Sequence, residues 1–410
     1  MPYMKCEPLK WRKNAKTVQN ERALRNENKE RKNSDVTRGT AYSRFCERIS
    51  FVKYIFLILI IPPVLNYASL KRESAILMPL EGEQVDMGWG QKMFIHCLGE
   101  GVPTIILDAP TGGTSDIWFF VQQHLSKFSK VCVYDRAGLG YSDLPFVNEM
   151  RTPDKAENRK FVSQVATLEQ MTCDLHHLVT NGKPLPRPFI LVGSETGGLI
   201  ARHYALTYPS DVSDIVLLNP FVEDLFRRQS EDWNNHWNMD VLPYLQSLQL
   251  FAYSGFPRIF ALLGYLKPQL FGDDVPQEVE MRQLSHLCNP SHMSAVFHEH
   301  LLLNTSFMQM DEVWQAKPFP KNVSVTVINS RKFEKIPTIL QKAWQQSQLH
   351  LRQFLHPTSK HFLFDGSFSQ LYVEPATITN TVQQLVYKWR ISHDVLPTVH
   401  TFREQETLME

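Results

Sequence analysis

Between residues 93 and 389 the chain alternates short apolar runs of β type with amphipathic helical segments, a rhythm that few folds accept. The β runs fall at 93–97, 104–107, 131–134, 189–192, 215–218, 323–328 and 361–364. The helical segments between them fall at about 117–128, 165–179, 199–208, 337–351 and 375–389. In the second of these, Leu168, Met171, Leu175 and Leu178 share one face. Strands separated by helices predict a mostly parallel, doubly wound α/β sheet. The rhythm breaks over 221–318 into helical, aromatic-rich stretches, which predicts a helical cap inserted between two sheet strands.

A chain of 410 residues, 43% hydrophobic, suits one α/β domain over 71–395 plus extensions. The net charge of +1 gives no electrostatic footprint for nucleic acid. That sum hides an uneven distribution, because residues 1–50 carry 13 Lys or Arg against 6 Asp or Glu. Residues 1–48 therefore read as a basic, disordered arm. Residues 54–70 contain no charge, and 49–70 together are long enough for a transmembrane helix. Pro62 and Pro63 would kink or shorten it, leaving a re-entrant segment or an uncleaved signal as alternatives.

The excess of basic residues before the apolar run places the N-terminus in the cytosol and the domain, with its 396–410 tail, on the luminal or extracellular side of a single-pass protein. The sequons at Asn304 and Asn322 suit that side. Cys97 and Cys132 lie in β runs and are expected as buried apolar fillers, although that compartment permits a disulfide among Cys97, Cys132, Cys173 and Cys288. Cys46, near the membrane, reads as a free thiol or a palmitoylation site.

Three stretches carry a likeness to a known family. They are Leu107-Asp108-Ala109-Pro110-Thr111-Gly112-Gly113 with Trp118 downstream, Tyr134-Asp135-Arg136-Ala137-Gly138-Leu139-Gly140-Tyr141-Ser142-Asp143, and Leu191-Val192-Gly193-Ser194-Glu195-Thr196-Gly197-Gly198. In this order the chain resembles the α/β-hydrolase superfamily over about residues 84–389. The resemblance implies a nucleophile at the tip of a strand-turn-helix elbow, with glycines two before and two after it. Gly193 and Gly197 fix that register, and the tip residue is Glu195. Taking Ser194 as nucleophile would put Val192 and Thr196 where small residues are required. Aspartate serves as nucleophile in relatives such as epoxide hydrolases and dehalogenases, but glutamate is one methylene longer and attack needs fixed geometry. Asp135, Arg136 and Ser142 are expected to brace their loop rather than react.

The resemblance also places the triad histidine about seven residues before the proline that opens the last helix. Counting back from Pro375 gives Phe368. His361 is the alternative base, but it heads the apolar run that must be the last strand. For the acid, the loop after the 323–328 strand offers Glu334, which is late, and the loop after the preceding strand offers Asn219 at its tip with Glu223 and Asp224 further on. Backbone N–H groups of Thr111 and Thr196 would form the oxyanion hole.

These readings predict a catalytically degenerate, membrane-anchored protein, a pseudoenzyme whose pocket or cap binds a small apolar ligand or a protein partner. The alternative is an active membrane-bound hydrolase of ester or lipid-like substrates with rearranged residues, using Ser194 or Glu195 with His361. No cofactor and no metal are expected. His176-His177 and His298-Glu299-His300 lack ligand spacing, and Gly138-Leu139-Gly140 lacks the third glycine of a phosphate cradle.

Overall fold

The computed structural model describes residues 25–26, 53–54, 56–88, 90–145, 166–227, 230–272 and 274–395. The expected basic arm, the 396–410 tail and Cys46 lie outside the described residues, apart from 25–26. The chain divides into two compact units, 1–62 and 63–410.

In the second unit, β1 (Gly82–Asp86), β2 (Lys92–Leu98), β3 (Thr104–Asp108), β4 (Val131–Tyr134), β5 (Phe189–Ser194), β6 (Val212–Leu218), β7 (Ser324–Lys332) and β8 (Lys360–Ser367) form one sheet in the order β1-β2-β4-β3-β5-β6-β7-β8. The β1–β2 and β2–β4 pairs are antiparallel and the rest are parallel. Helices connect the parallel strands: α1 (Phe119–Leu125), α2 (Leu168–His177), α3 (Thr196–Thr207) and, after the insertion described below, α10 (Gln341–His350); α11 (Gln370–Val373) and α12 (Ala376–Ser392) follow the last strand. Every residue of β3, β4 and β5 is buried, as a central parallel sheet covered on both faces requires. Crossover helices supply that cover, so these strands read as continuous apolar runs rather than alternating ones.

The sequence reading missed β1. Its Gly-Glu-Gln-Val-Asp carries one large apolar side chain and sits at the sheet edge, where no buried face imposes a pattern. Cys97 and Cys132 are register partners across β2 and β4 and form a disulfide, with Cα atoms 4.0 Å apart. This corrects their reading as fillers. Two residues in apolar strands look like packing until pairing puts them side by side.

Between β6 and β7 come α4 (Ser230–Asn235), α5 (Leu242–Tyr253), α6 (Phe256–Leu262), α7 (Gln277–Leu287), α8 (Pro290–Leu301) and α9 (Leu303–Ala316), which together make the cap. The predicted insertion is therefore helical and lies between two adjacent strands.

Ahead of the sheet, residues 63–76 are helical and fastened to the cap. Asn66, 3% exposed, donates to the Cys288 carbonyl at 2.8 Å, and Glu73 takes Arg258 Nη1 at 2.6 Å and the Ser285 hydroxyl at 2.7 Å. In the first unit, residues 56–62 are helical, with Phe56, Leu57, Ile58, Leu59 and Ile60 exposed. Among the described residues no helix is long and apolar enough to cross a membrane. Of the span expected over 49–70, residues 49–52 and 55 lie outside the described residues.

Candidate functional site

The polypeptide turns sharply from β5 into α3 at Glu195, whose φ of 49° lies in the left-handed region. Such a backbone is strained for a residue with a Cβ and persists only when its surroundings dictate it. The flanking glycines dictate it here. A Cβ on Gly193 would lie 2.2 Å from the Gly197 carbonyl oxygen, and one on Gly197 would lie 2.7 Å from that of Asp108. No side chain fits either place, so the elbow register read from the sequence is the one the backbone adopts.

The Glu195 side chain is 1% exposed. Its Oε2 accepts the Thr111 backbone N–H at 3.1 Å, and its Oε1 lies 2.8 Å from Lys335 Nζ, an ionic contact without hydrogen-bond alignment. The expected oxyanion donor is thus filled by the chain's own carboxylate. The hydroxyls of Thr111 and Thr196 join across the same corner at 2.6 Å. Lys335 follows Glu334 in this loop, and no local sequence pattern marks it as a site residue. The missed signal was electrostatic, since a buried carboxylate at the elbow calls for a cation nearby.

Phe368 follows the last residue of β8 directly, in the loop position expected of the base. Its ring packs edge-on against Phe333 and Tyr372, with centroids 5.1 and 5.2 Å away, and Lys335 Nζ sits 5.3 Å from its centre. Glu334 does not approach Glu195; its Oε2 accepts the Phe368 backbone N–H at 3.0 Å. One loop therefore ties down the phenylalanine and extends its next residue, Lys335, to the elbow carboxylate.

The other candidates are dispersed. Ser194 is buried and faces the core, taking the Tyr372 hydroxyl at 2.6 Å. His361 is the second residue of β8, paired in register with Val327, and its Nδ1 lies 3.1 Å from Arg352. Burial, with Arg352 beside it, lowers its pKa. Asp224 takes the Ser347 hydroxyl, while Glu223 forms a two-pronged pair with Arg202 at 2.8 and 2.9 Å. Asn219, with φ of 40°, bonds Ser330 and joins the ends of β6 and β7. Among the described residues no cluster could hold a metal ion.

The opposite wall is a buried polar lattice. Arg136 donates to Glu299 at 2.7 and 3.0 Å, to Asp108 at 2.6 Å, and to the carbonyls of Ala109 and Pro110 at 2.8 Å each. Burial opposes its charge, but Glu299 and Asp108 outweigh burial and raise its pKa. Burial also raises Asp108 against the pull of Arg136 and the Tyr134 hydroxyl, which donates at 2.7 Å. Glu299 further accepts the Gly112 N–H at 2.7 Å, so a cap helix holds the loop carrying Thr111. Asp135 takes the N–H groups of Ser115 and Tyr141, and Ser142 donates to the Asp135 carbonyl. The bracing role expected of Asp135, Arg136 and Ser142 is what these bonds perform. The part of Glu299 was missed, because a helical residue 163 positions away gives no local signal.

Above Glu195 and Lys335 opens a cavity of about 640 Å³ between sheet and cap, lined mainly by apolar side chains including Phe221, Trp233, Trp237, Leu245, Leu248 and Met293. His300 also lines it, with Nδ1 on the Val296 carbonyl at 2.7 Å, and burial lowers its pKa. The group paired with Glu195 is thus a lysine rather than an imidazolium.

This fold and this elbow define a class, and the comparisons agree with it. The sequence profile of the α/β hydrolase fold family matches residues 93–258. Over those residues the chain matches the α/β-hydrolase superfamily, and its fold is the fold of that superfamily. It is 27% identical over 157 residues to a putative carbamate hydrolase, RutD, of Cronobacter turicensis, covering 37% of this chain and 52% of that one. It is 30% identical over 129 residues to the 1-acylglycerol-3-phosphate O-acyltransferase ABHD5 of Rattus norvegicus, covering 32% of each. The chain thus spans about half the length of the first of these relatives and a third of the second. Among solved structures, a putative acyltransferase from Salmonella enterica matches 77% of this chain and 95% of its own with a TM-score of 0.55 at 15% identity. An evolved variant of potato epoxide hydrolase StEH1 matches 75% and 99%, with a TM-score of 0.55 at 14% identity. At such identities the likeness is one of fold.

Proposed function

We propose that this chain is a membrane-anchored α/β-hydrolase-fold protein that binds an uncharged apolar ligand beneath its cap and does not turn it over. One observation carries the reading: the Glu195 carboxylate occupies the Thr111 N–H and is neutralised by Lys335. A tetrahedral oxyanion needs that donor, and beside a carboxylate in a dry pocket it would be disfavoured by roughly several kcal/mol. With Phe368 where the triad base would stand, the loop after β8 supplies no imidazole to take a proton from a nucleophile or return one to a leaving group.

The ligand class follows from the lining. Glu195 and Lys335 cancel each other's charge and burial favours neutral His300, so an apolar wall meets an electrically balanced floor. The names of the relatives point toward hydrolysis and acyl transfer, and both would need the nucleophile that Glu195 replaces.

The anchor lies within residues 49–70, ahead of Asn66, which is fastened to the cap, with the N-terminus cytosolic and the domain luminal or extracellular. The basic excess before the apolar run supports this orientation, as does the Cys97–Cys132 disulfide, since an oxidising compartment lets disulfides persist. Asn304 and Asn322 are both exposed, as glycan acceptors on that side would be.

Trp233 and Trp237 line the cavity and make it self-reporting. Titrating the full-length chain in nanodiscs with 1-monooleoylglycerol is expected to change tryptophan emission saturably while the glycerolipid stays intact. Release of oleate that disappears in Glu195→Ala would overturn the reading, as would the absence of any saturable change.

A further inference from the structure

The cap contains a stretch whose composition the pocket does not explain. Residues 241–272 include no Asp or Glu, and their only basic residues are Arg258 and Lys267. Within it, Leu250, Tyr253, Leu262, Leu263, Tyr265 and Phe271 are all more than half exposed, Leu262 at 80%. Single exposed apolar residues are ordinary, but this many on one pair of helices and the loop beyond them, joined by the Phe251–Phe260 and Phe260–Tyr265 ring contacts, make a surface waiting for an apolar partner. Lys267 lies 5.6 Å from the centre of the Phe271 ring, a cation beside aromatics as interfacial segments present them.

The chain's connectivity says what the partner is. Arg258 of α6 holds Glu73 and, at 3.2 Å, Asn66, so the residues that continue the uncharged 54–70 run are fastened to these cap helices. Val64, Leu65 and Tyr67 are exposed along the fastened stretch. Within the second unit, the end of the apolar run is therefore fastened to the cap. Tyr244 of α5 lines the cavity and is itself 61% exposed, so the helix that carries Leu250 and Tyr253 on its outer side also reaches the cavity rim.

We infer that α5, α6 and the loop to Phe271 lie on the lipid bilayer, pressing the pocket rim against the surface from which an apolar ligand would enter. The inference rests on the membrane-anchored reading above and adds a second, separate contact with lipid. An absence of acidic residues over 32 positions removes the repulsion that anionic headgroups would otherwise exert.

The test is photocrosslinking of the full-length chain in vesicles of phosphatidylcholine and phosphatidylserine carrying a diazirine phosphatidylcholine, with adducts mapped by mass spectrometry. Adducts are expected both within 54–65 and within 250–271. In Leu262→Asp/Leu263→Asp the second set should fall about ten-fold, because charge on an interfacial apolar face opposes insertion, while the first set stays unchanged. An unchanged thermal melt of that variant shows that loss of adducts is not loss of fold. Adducts confined to 54–65 would overturn the cap contact and leave the anchor standing. Adducts in neither region would overturn both.

Discussion

On one side of the pocket floor, Arg136 gathers Asp108, Glu299 and two carbonyls into a fully buried lattice that holds the Thr111 loop where an acyl-transfer site of this fold needs it. On the other side, the loops after β7 and β8 bring Lys335 and Phe368 to the elbow, held by hydrogen bonds of the Phe368 N–H to Glu334 and the Lys332 carbonyl, by the Ser369 hydroxyl on Glu334, and by aromatic contacts. The first side also keeps the fold together, because each of its charges would be left desolvated if a partner were lost. The second side carries no such duty. Apart from the Glu195–Lys335 pair, its residues can change at the cost of packing alone.

The largest effect should come from breaking the lattice. Arg136→Leu leaves Asp108 and Glu299 buried without their cation and is expected to cost about 4 kcal/mol, read as a lower urea midpoint. Phe368→His should cost less, about 2 to 3 kcal/mol, since a polar ring replaces one packed on Phe333 and Tyr372. It should bring no ester hydrolysis, because Glu195 still fills the donor. Turnover in that variant would mean the second side is one residue from working.

Acid should act through the buried histidines. Burial depresses His292 and His203 to about 4 from 6.5, and His292 Nδ1 accepts the Gly140 N–H at 3.1 Å. Depressed folded-state values mean stability that is complete above pH 6.5 and lost as pH falls toward 4. Between pH 7 and 5 the loss is about 2 kcal/mol per histidine. Asp116, raised by burial to about 6, has the opposite sign, its contribution fading as pH rises through 6, and it offsets part of this. A urea midpoint lower at pH 5 than at pH 7, with a smaller drop in His292→Gln, is the expected result. Equal midpoints in both proteins at both pH values would contradict it.

The smallest effect should be at the ion pair. Lys335 is 42% exposed, so Lys335→Met should cost only about 1 kcal/mol. Glu195→Gln/Lys335→Met should return to within about 0.5 kcal/mol of the parent if the two residues serve mainly each other. Additive losses would assign Lys335 another partner.

Much of this was legible in the sequence, for physical reasons. Central parallel strands are apolar on both faces, and the elbow glycines have no substitute where Gly193 and Gly197 pack backbone on backbone. Counting back from Pro375, as the resemblance implies, gives Phe368, and the structure puts it directly after β8. Lys335 and Glu299 could not be found so, since each acts across tertiary space on a residue that gives it no sequence spacing. The Cys97–Cys132 bond was hidden for the same reason, and edge strand β1 because it has no buried face to impose a pattern.

Hydrolysis of p-nitrophenyl butyrate by the full-length chain in vesicles, compared with Glu195→Ala, tests the claim that Glu195 closes this site rather than serves it. Both proteins should release p-nitrophenol no faster than buffer. Turnover by the parent that vanishes in Glu195→Ala would contradict the account.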